Sequence, residues 1–316
     1  KYNISIDFQN MIELPVLNED IAMPQFDYVF IDEVQDLSKL DQLFIERLVK
    51  KPRGRKIIVG DERQSIYGFR GSDPNSFNNL INQPNTISLP LSISYRCSKE
   101  VVKKAKEVYD EIEPYEHNKQ GIVRKGTVEE IQEGDFVLCR NTRPLVEVFF
   151  ELLEQGKKAF IVGKDIEKGL LGMLAQFDSD QKTSDTISQL KDILEKVGDE
   201  LKAKGIVNPI NHPKYGQIQE KVDILRLLFR KFTTIGEVEK FIESIFHDEE
   251  REGIKLMTIH KSKGLENERV FIIETFEGKS LIPSTYAVTS DQLKQEQNLR
   301  FVSYTRAKDE LVLLNL

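Results

Sequence analysis

Nowhere in the 316 residues is there an apolar run of the ~18 residues that a membrane helix needs. The first ten residues, KYNISIDFQN, lack a basic region followed by an apolar core, so no secretory signal is legible; the same start can equally be a cut within a longer protein. Cysteine is scarce. Cys97 and Cys139 make neither a disulfide framework nor a zinc cluster, and passive, reduced thiols in a cytoplasmic protein are the plain reading. Positive charge is in deficit too: 45 Lys and Arg against 52 Asp and Glu leave a net charge of −7. That argues against a protein that coats nucleic acid with its whole surface, yet a narrow basic groove in an acidic body stays open. Repeats and low-complexity tracts are absent as well. What remains, 39% hydrophobic and 31% charged, describes a globular chain. Its length suits two domains of about 150 residues each.

The pattern along the chain is α/β. DYVFID, residues 27–32, is an apolar run ending in acids and reads as a buried strand. LSKLDQLFIERLVKK follows as a helix, with Ser38 and Asp41 spaced as a capping box and Leu43, Ile45, Leu48 and Val49 on an apolar face. RKIIVGDERQ is a second buried strand breaking at Gly60-Asp61, so the three form a βαβ unit with parallel strands. Ser98 is placed to cap a helix running through Val101, Val102, Ala105, Val108 and Ile112. A second cycle starts near residue 135, with DFVLCR as strand, RPLVEVFFELLEQG as a helix closed by Gly156, and KAFIVG as strand. Residues 164–250 turn helical and charged, interrupted by a loop at NPINHPKYG; GIKLMTIH, ERVFIIET and KDELVLLNL then return to strand patterns.

Two stretches carry chemistry. In YVFIDEVQD, Asp32 stands where a strand ends and can bind Mg²⁺, and Glu33 beside it can orient or deprotonate an attacking water. Acids after strands are also common as solvated turn residues, but the pattern Asp32-Glu33-x-Gln35-Asp36 is much rarer. In VGDERQSIYGFRGSD, Gln64 follows a strand end at a distance that can reach a γ-phosphate. Tyr67, Phe69 and Arg70 then interleave ring faces with a cation, the make-up of a platform on which single-stranded bases stack. The alternative is a glycine-rich surface loop whose rings tuck into the core.

Together these stretches resemble the UvrD/Rep/PcrA-like superfamily 1 DNA helicases, and the further motifs of that family follow in order. LPLSISYRCS is similar to motif IV, GIKLMTIHKSKGLENERVFI to motif V, EQNLRFVSYTRAKDELVL to motif VI, and FVLCRNTRP to the segment between IV and V. The resemblance covers nearly all of residues 27–314 apart from 164–250. It implies two RecA-like parallel-sheet motor domains, the first incomplete, with a small helical insertion in the second. Residues 1–120 would belong to the first domain, 121–163 and 251–316 to the second, and 164–250 to a reduced 2B-like insertion.

It further implies an ATP-driven motor on single-stranded DNA and at single-strand/duplex junctions, moving 3′ to 5′, with ATP and Mg²⁺ as cofactors. Asp32 would coordinate Mg²⁺, Glu33 activate the hydrolytic water, and Gln64 sense the γ-phosphate. Tyr95 would stack on adenine, Arg96 reach the γ-phosphate, Glu266 bind the ribose, and Arg306 act as the arginine finger of the second domain. Tyr67, Phe69 and Arg70, with Arg140, Asn141, Thr258, His260 and Lys263, would contact DNA; Phe69 stands where the family commonly has Trp.

The departures are specific. The phosphate loop G-x-x-x-x-G-K-[ST] occurs nowhere, and the Gly278-Lys279-Ser280 tripeptide is rejected because Ile, not Gly, stands at position 273. The expectation is therefore a piece of a longer helicase whose phosphate-gripping half lies upstream. By itself such a piece would bind ATP poorly and not hydrolyse it. Gln297 and Asn298 replace a basic pair, Ser303-Tyr304 a smaller step, and Asn267 an aromatic. Two alternatives remain: a non-catalytic DNA-binding or scaffold subunit, and the motor portion of a helicase–nuclease.

Overall fold

The computed structural model describes residues 7–247 and 252–316, so the expected domain segments 1–6 and 248–251 lie outside the described residues. It divides into two units, Lys1–Leu91 with Thr289–Leu299 and Ser92–Val288 with Arg300–Leu316.

In the first unit, α1 (Phe8–Leu17) was not legible as a helix, since Pro15 sits inside it. Its C-terminal carbonyls lack intrahelical donors, as at any helix end. Arg47 supplies them, donating to the carbonyl of Pro15, to that of Asn18 at 3.1 Å, and to that of Ile21 at 3.0 Å. The expected βαβ unit is present: β1 (Tyr28–Ile31) pairs in parallel with β2 (Arg55–Ile58), and α2 (Lys39–Leu48) makes the crossover. Ser38 Oγ accepts from Asp41 N at 3.1 Å while Asp41 Oδ2 accepts from Ser38 N at 2.8 Å, which completes the capping box. Ile31, Val34, Ile45 and Leu80, the last from α3 (Ser76–Ile81), form the core.

Two expectations are corrected here. β1 is buried on one face only: Tyr28 is 61% and Phe30 76% exposed, because among the described residues β1 pairs with β2 alone and only the face of Ile31 is covered by helices. Leu43 is likewise exposed rather than part of the α2 apolar face.

The second unit opens with β3 (Ile93–Ser94), α4 (Lys99–Lys106) and β4 (Glu113–Pro114). α4 ends before Val108 and Ile112, shorter than expected, because pairing of β4 with β3 draws the chain into extended backbone at Glu113. Ser98 stands at the N-cap, but its hydroxyl donates to the carbonyl of Asp309 at 3.1 Å instead of capping. The strands β5 (Ile122–Lys125), β6 (Phe136–Cys139), β7 (Ala159–Val162), β8 (Phe246–His247), β9 (Ile254–Thr258), β10 (Asn267–Phe276) and β12 (Ala307–Asn315) form a parallel sheet in the order β5-β12-β10-β6-β9-β7-β8. β11 (Lys279–Ser280) adds an antiparallel edge on β10. All of β6 and the centre of β10 are buried, which is why these strands read as unbroken apolar runs. The Lys279-Ser280 pair rejected above as a phosphate loop forms β11, entered through a turn in which Glu277 (φ 50°) and Gly278 (φ 72°) are both left-handed, the geometry of a tight hairpin.

Between β7 and β8 lie α6 (Lys164–Leu174), α7 (Thr183–Ala203), α8 (Pro213–Phe229) and α9 (Ile235–Ile245). NPINHPKYG is only partly loop: α8 starts at Pro213, and His212 Nδ1 accepts from Lys214 N at 3.2 Å. Leu170, Leu190, Val222, Leu225 and Ile242 join the same core as α5 (Thr142–Glu154) and the sheet, so the helical block shares one hydrophobic interior with the strands. α10 (Ser290–Tyr304) precedes β12.

Candidate nucleotide and nucleic-acid sites

In the first unit, Asp32 and Glu33 lie exposed just past the end of β1. Asp32 Oδ1 accepts from Glu33 N at 2.8 Å, and Glu33 is held at φ 52°, a left-handed conformation that costs a non-glycine residue on the order of 1–3 kcal/mol. Such strain persists only where neighbours impose it, and here they do. The buried Gln35 donates from Nε2 to Glu33 Oε2, while its Oε1 accepts from Asp61 N at 3.0 Å. Gln64 Nε2 in turn donates to Asp61 Oδ2 at 3.0 Å. A hydrogen-bonded chain therefore runs Glu33–Gln35–Asp61–Gln64. Gly60 makes the close approach possible, because a Cβ there would lie 2.7 Å from Gln35 Oε1 and 2.6 Å from Val34 Cγ1.

The turn bearing Gln64 is fixed from below by Asn298, whose Nδ2 donates to the carbonyls of Glu62 and Ser65, each at 2.9 Å. The residue that departs from the expected basic pair thus acts as a structural clamp. Replacing Asn298 by Ala should leave two carbonyls without this donor in a buried setting, costing about 1–3 kcal/mol. Urea denaturation monitored by far-UV circular dichroism should show the lower midpoint; an unchanged midpoint would remove the clamp.

Beyond Gln64, Tyr67 and Phe69 meet edge to face with centroids 6.2 Å apart, and the Arg70 guanidinium lies 5.0 Å from the Tyr67 ring and 5.6 Å from that of Phe69. Phe69 is 58% exposed, so its ring is not tucked into the core. Tyr67 is partly buried, and burial pushes its hydroxyl pKa up.

In the second unit, a parallel sheet gathers the residues that follow its strands at one edge and those that precede them at the other. At the amino edge, Asn267 lies opposite Ala307 and its N–H donates to the carbonyl of Arg306 at 3.0 Å. Glu266, just before Asn267, pairs with Arg96 Nε and with Lys308 Nζ at 3.1 Å; the Lys308 hydrogen bond, more than the Arg96 charge, holds its carboxyl below the ordinary glutamate range. Arg306 is 2% exposed. Its Nε donates to the carbonyl of Val302 and its Nη1 to that of Leu265, both at 3.1 Å. Tyr95 is exposed and its ring lies 4.8 Å from that of Tyr115. The Tyr95-Arg96 turn is tied by Asn118, which donates to the carbonyls of Ser94 at 2.7 Å and Cys97 at 2.8 Å. Both cysteines are buried; burial raises the Cys97 thiol and pushes that of Cys139 up to about 12, so neither is a thiolate near neutrality.

The carboxyl edge holds a second set. Cys139 lies opposite both Thr258 and Ile273, and Ile259 N donates to the carbonyl of Cys139 at 2.9 Å. Arg140 and Asn141 after β6 are therefore brought beside Thr258 and the turn of His260 and Lys263 after β9. From Asn267 to Ile273 the strand rises roughly 20 Å, at ~3.3 Å per residue, so the two sets are separated by most of the height of the sheet. The residues between, from Ile259 to Glu266, connect one edge to the other.

Sequence reasoning did not single out Asp61, Asn118 or Lys308. The first two act on backbone groups or neighbouring side chains, and only Lys308, in the TRAK stretch, had a positional signal.

The chain is thus an α/β protein with a left-handed Glu33 just past one parallel strand pair and a second, larger parallel sheet. Residues 149–315 match the UvrD-like helicase C-terminal domain and residues 6–85 the UvrD/REP helicase N-terminal domain. The chain belongs to the UvrD-like helicase family, and its mixed α/β fold with a large parallel sheet fits that family's two RecA-like motor domains. It is 23% identical to the putative ATP-dependent DNA helicase YjcD of Bacillus subtilis, over 97% of this chain and 54% of that protein. It is 24% identical to the Gabija protein GajB of Bacillus cereus, over 98% of this chain and 68% of that protein. It is 23% identical to the ATP-dependent DNA helicase Rep of Buchnera aphidicola, over 98% of this chain and 67% of that protein. The chain thus spans between about half and two thirds of the length of these curated relatives. Among the described residues no helix is long and apolar enough to cross a membrane.

Proposed function

We propose that this chain supplies the hydrolytic acids, the γ-phosphate-sensing turn and the second motor domain of a DNA-dependent ATPase. In this proposal the enzyme couples ATP hydrolysis to 3′-to-5′ movement on single-stranded DNA and to unwinding at junctions with duplex. Residues 164–250 would be its reduced 2B-like insertion. The observation that carries the proposal is the chain Glu33–Gln35–Asp61–Gln64, which continues within a few residues into the Tyr67, Phe69 and Arg70 platform. In this reading the hydrolytic acid and the stacking ring are joined by one short, hydrogen-bonded stretch of the first unit.

Each residue then has a physical task. Glu33, exposed and oriented by Gln35, takes the proton of the attacking water. Gln64 reports the γ-phosphate through Asp61. Among the described residues no group of three or more His, Cys, Asp or Glu side chains could hold a metal alone. Mg²⁺, however, is commonly held by one or two carboxylates together with substrate phosphates, and the exposed Asp32 suits that donor set. When bound, the ion would neutralise phosphate charge. Arg96 and Arg306 add fixed positive charge, Arg306 preoriented by the Val302 and Leu265 carbonyls, and such preorganisation is where electrostatic catalysis draws most of its effect. Tyr95 offers an exposed ring for adenine, and Glu266 a carboxylate for the ribose, which has to exchange its present Arg96 and Lys308 partners. Arg140, Asn141, Thr258, His260 and Lys263 line the DNA backbone at the carboxyl edge. The test is ATP turnover by the intact protein with and without single-stranded DNA. Stimulation supports the motor, and turnover indifferent to the strand contradicts it.

A further inference from the structure

The carboxyl edge of the second unit contains a cation that none of the assignments above uses. Lys261 lies in the turn after β9, between His260 and Lys263, and its N–H donates to the carbonyl of Thr258 at 2.9 Å. Its ammonium pairs at 2.7 Å with Asp165, the second residue of α6. The topology explains the meeting. β7 and β9 are adjacent parallel strands, with Ile161 opposite Leu256, so the residues that follow each emerge at the same edge. α6 opens the helical block directly after β7, which places its first turn beside the Thr258–Lys263 turn.

The same block sends a second carboxylate to this edge: Glu220 of α8 accepts from the N–H of Thr142, two residues after Arg140. Arg143, in the first turn of α5, is engaged by Glu147 at 3.1 Å and Glu277 at 2.6 Å. Among the described residues Lys261 differs in being tied to one acid that is itself open to solvent, with side-chain exposures of 31% for Lys261 and 58% for Asp165. Partial burial pushes the Asp165 carboxyl up, but the hydrogen bond and charge of Lys261 more than reverse this and hold it below the ordinary aspartate value. An ion pair this exposed is weak, and a phosphate oxygen offers an ammonium an equally charged partner.

We propose that Lys261 is a further phosphate-binding residue of the carboxyl edge, and that Asp165 holds it as an internal phosphate substitute in competition with a nucleic-acid backbone, so that the Lys261–phosphate contact forms fully only when the carboxylate is removed. The helical block thereby sets how many cations the edge presents to a strand. This rests on the carboxyl edge being the nucleic-acid face, as proposed above.

The experiment is equilibrium binding of a single-stranded oligonucleotide to the intact protein across a salt series, for Asp165→Asn, Lys261→Ala, the double variant and Lys263→Ala. Asp165→Asn should tighten binding at low salt about threefold to tenfold, and make the dependence of log K on log salt steeper by about 0.7, the increment for one added phosphate contact on a single strand. A merely structural role for Asp165 would not move that slope. Lys261→Ala should weaken binding, and the gain from Asp165→Asn should vanish in the double variant. If Lys263→Ala weakens binding while Asp165→Asn changes neither affinity nor slope, or if its gain survives loss of Lys261, the inference is overturned and the nucleic-acid face stands. If neither Lys261→Ala nor Lys263→Ala weakens binding, both fall.

Discussion

Glu33→Gln is expected to leave ATP binding by the intact protein unchanged and to lower single-strand-stimulated hydrolysis by about 10²–10⁴-fold, the usual contribution of a positioned general base. The substitution preserves shape and keeps an oxygen that can accept from Gln35 Nε2, so the turn and its left-handed backbone at Glu33 should survive. What is lost is the ability to take up a proton. The two measurements are nucleotide binding at equilibrium and turnover under saturating single-stranded DNA. Tight binding with near-normal turnover would remove Glu33 from the chemistry and leave its strained conformation unexplained.

Phe69→Ala should produce the second large effect, at the other end of the same connection. Loss of one base-stacking ring costs about 1–3 kcal/mol, which corresponds to about 5- to 150-fold weaker single-strand binding. Because Phe69 is more than half exposed, its truncation should leave little or no cavity, and thermal stability should change far less than for a core phenylalanine. The expected phenotype therefore separates the two properties: hydrolysis that no longer drives movement on DNA, in a protein that melts almost normally. Normal stimulation by DNA would count against the platform. A large loss of stability with normal binding would make Phe69 a packing residue after all.

Much of the architecture could be read from local pattern, and the failures have identifiable causes. The βαβ unit was legible because the Ser38/Asp41 box and the apolar runs flanking it each have a fixed spacing. Exposure of Tyr28 and Phe30 was not, since an apolar run says that a strand can be buried on both faces and not whether anything covers the second. The helical spacing of Val108 and Ile112 continues past Lys106, but the β3–β4 pairing wins over local periodicity there. Pro213 reads as a breaker within NPINHPKYG, yet at a helix start its missing N–H costs nothing and its fixed φ suits the first turn.

The candidate site divides the same way. Asp32, Glu33, Gln64, Arg96 and Arg306 stand in motifs, because their chemistry ties each to a short, recurrent context. The contacts that aim them carry no such signal. Gln35 reaches Asp61, Asn298 reaches the turn of Gln64, and Asn118 reaches the turn of Tyr95 and Arg96, in each case over a separation in sequence that carries no periodic signal. Asn298 shows the consequence most clearly: in the sequence it is a departure from a basic pair, and in the fold it is a two-point clamp.

The most direct measurement is ATP turnover by the intact protein as single-stranded DNA is added at fixed ATP and Mg²⁺. The Glu33–Gln35–Asp61–Gln64 connection to the aromatic platform calls for turnover that rises saturably with the strand. A protein that binds the strand but turns over no ATP, or turns it over at one rate with and without the strand, would be a DNA-binding module and not a motor.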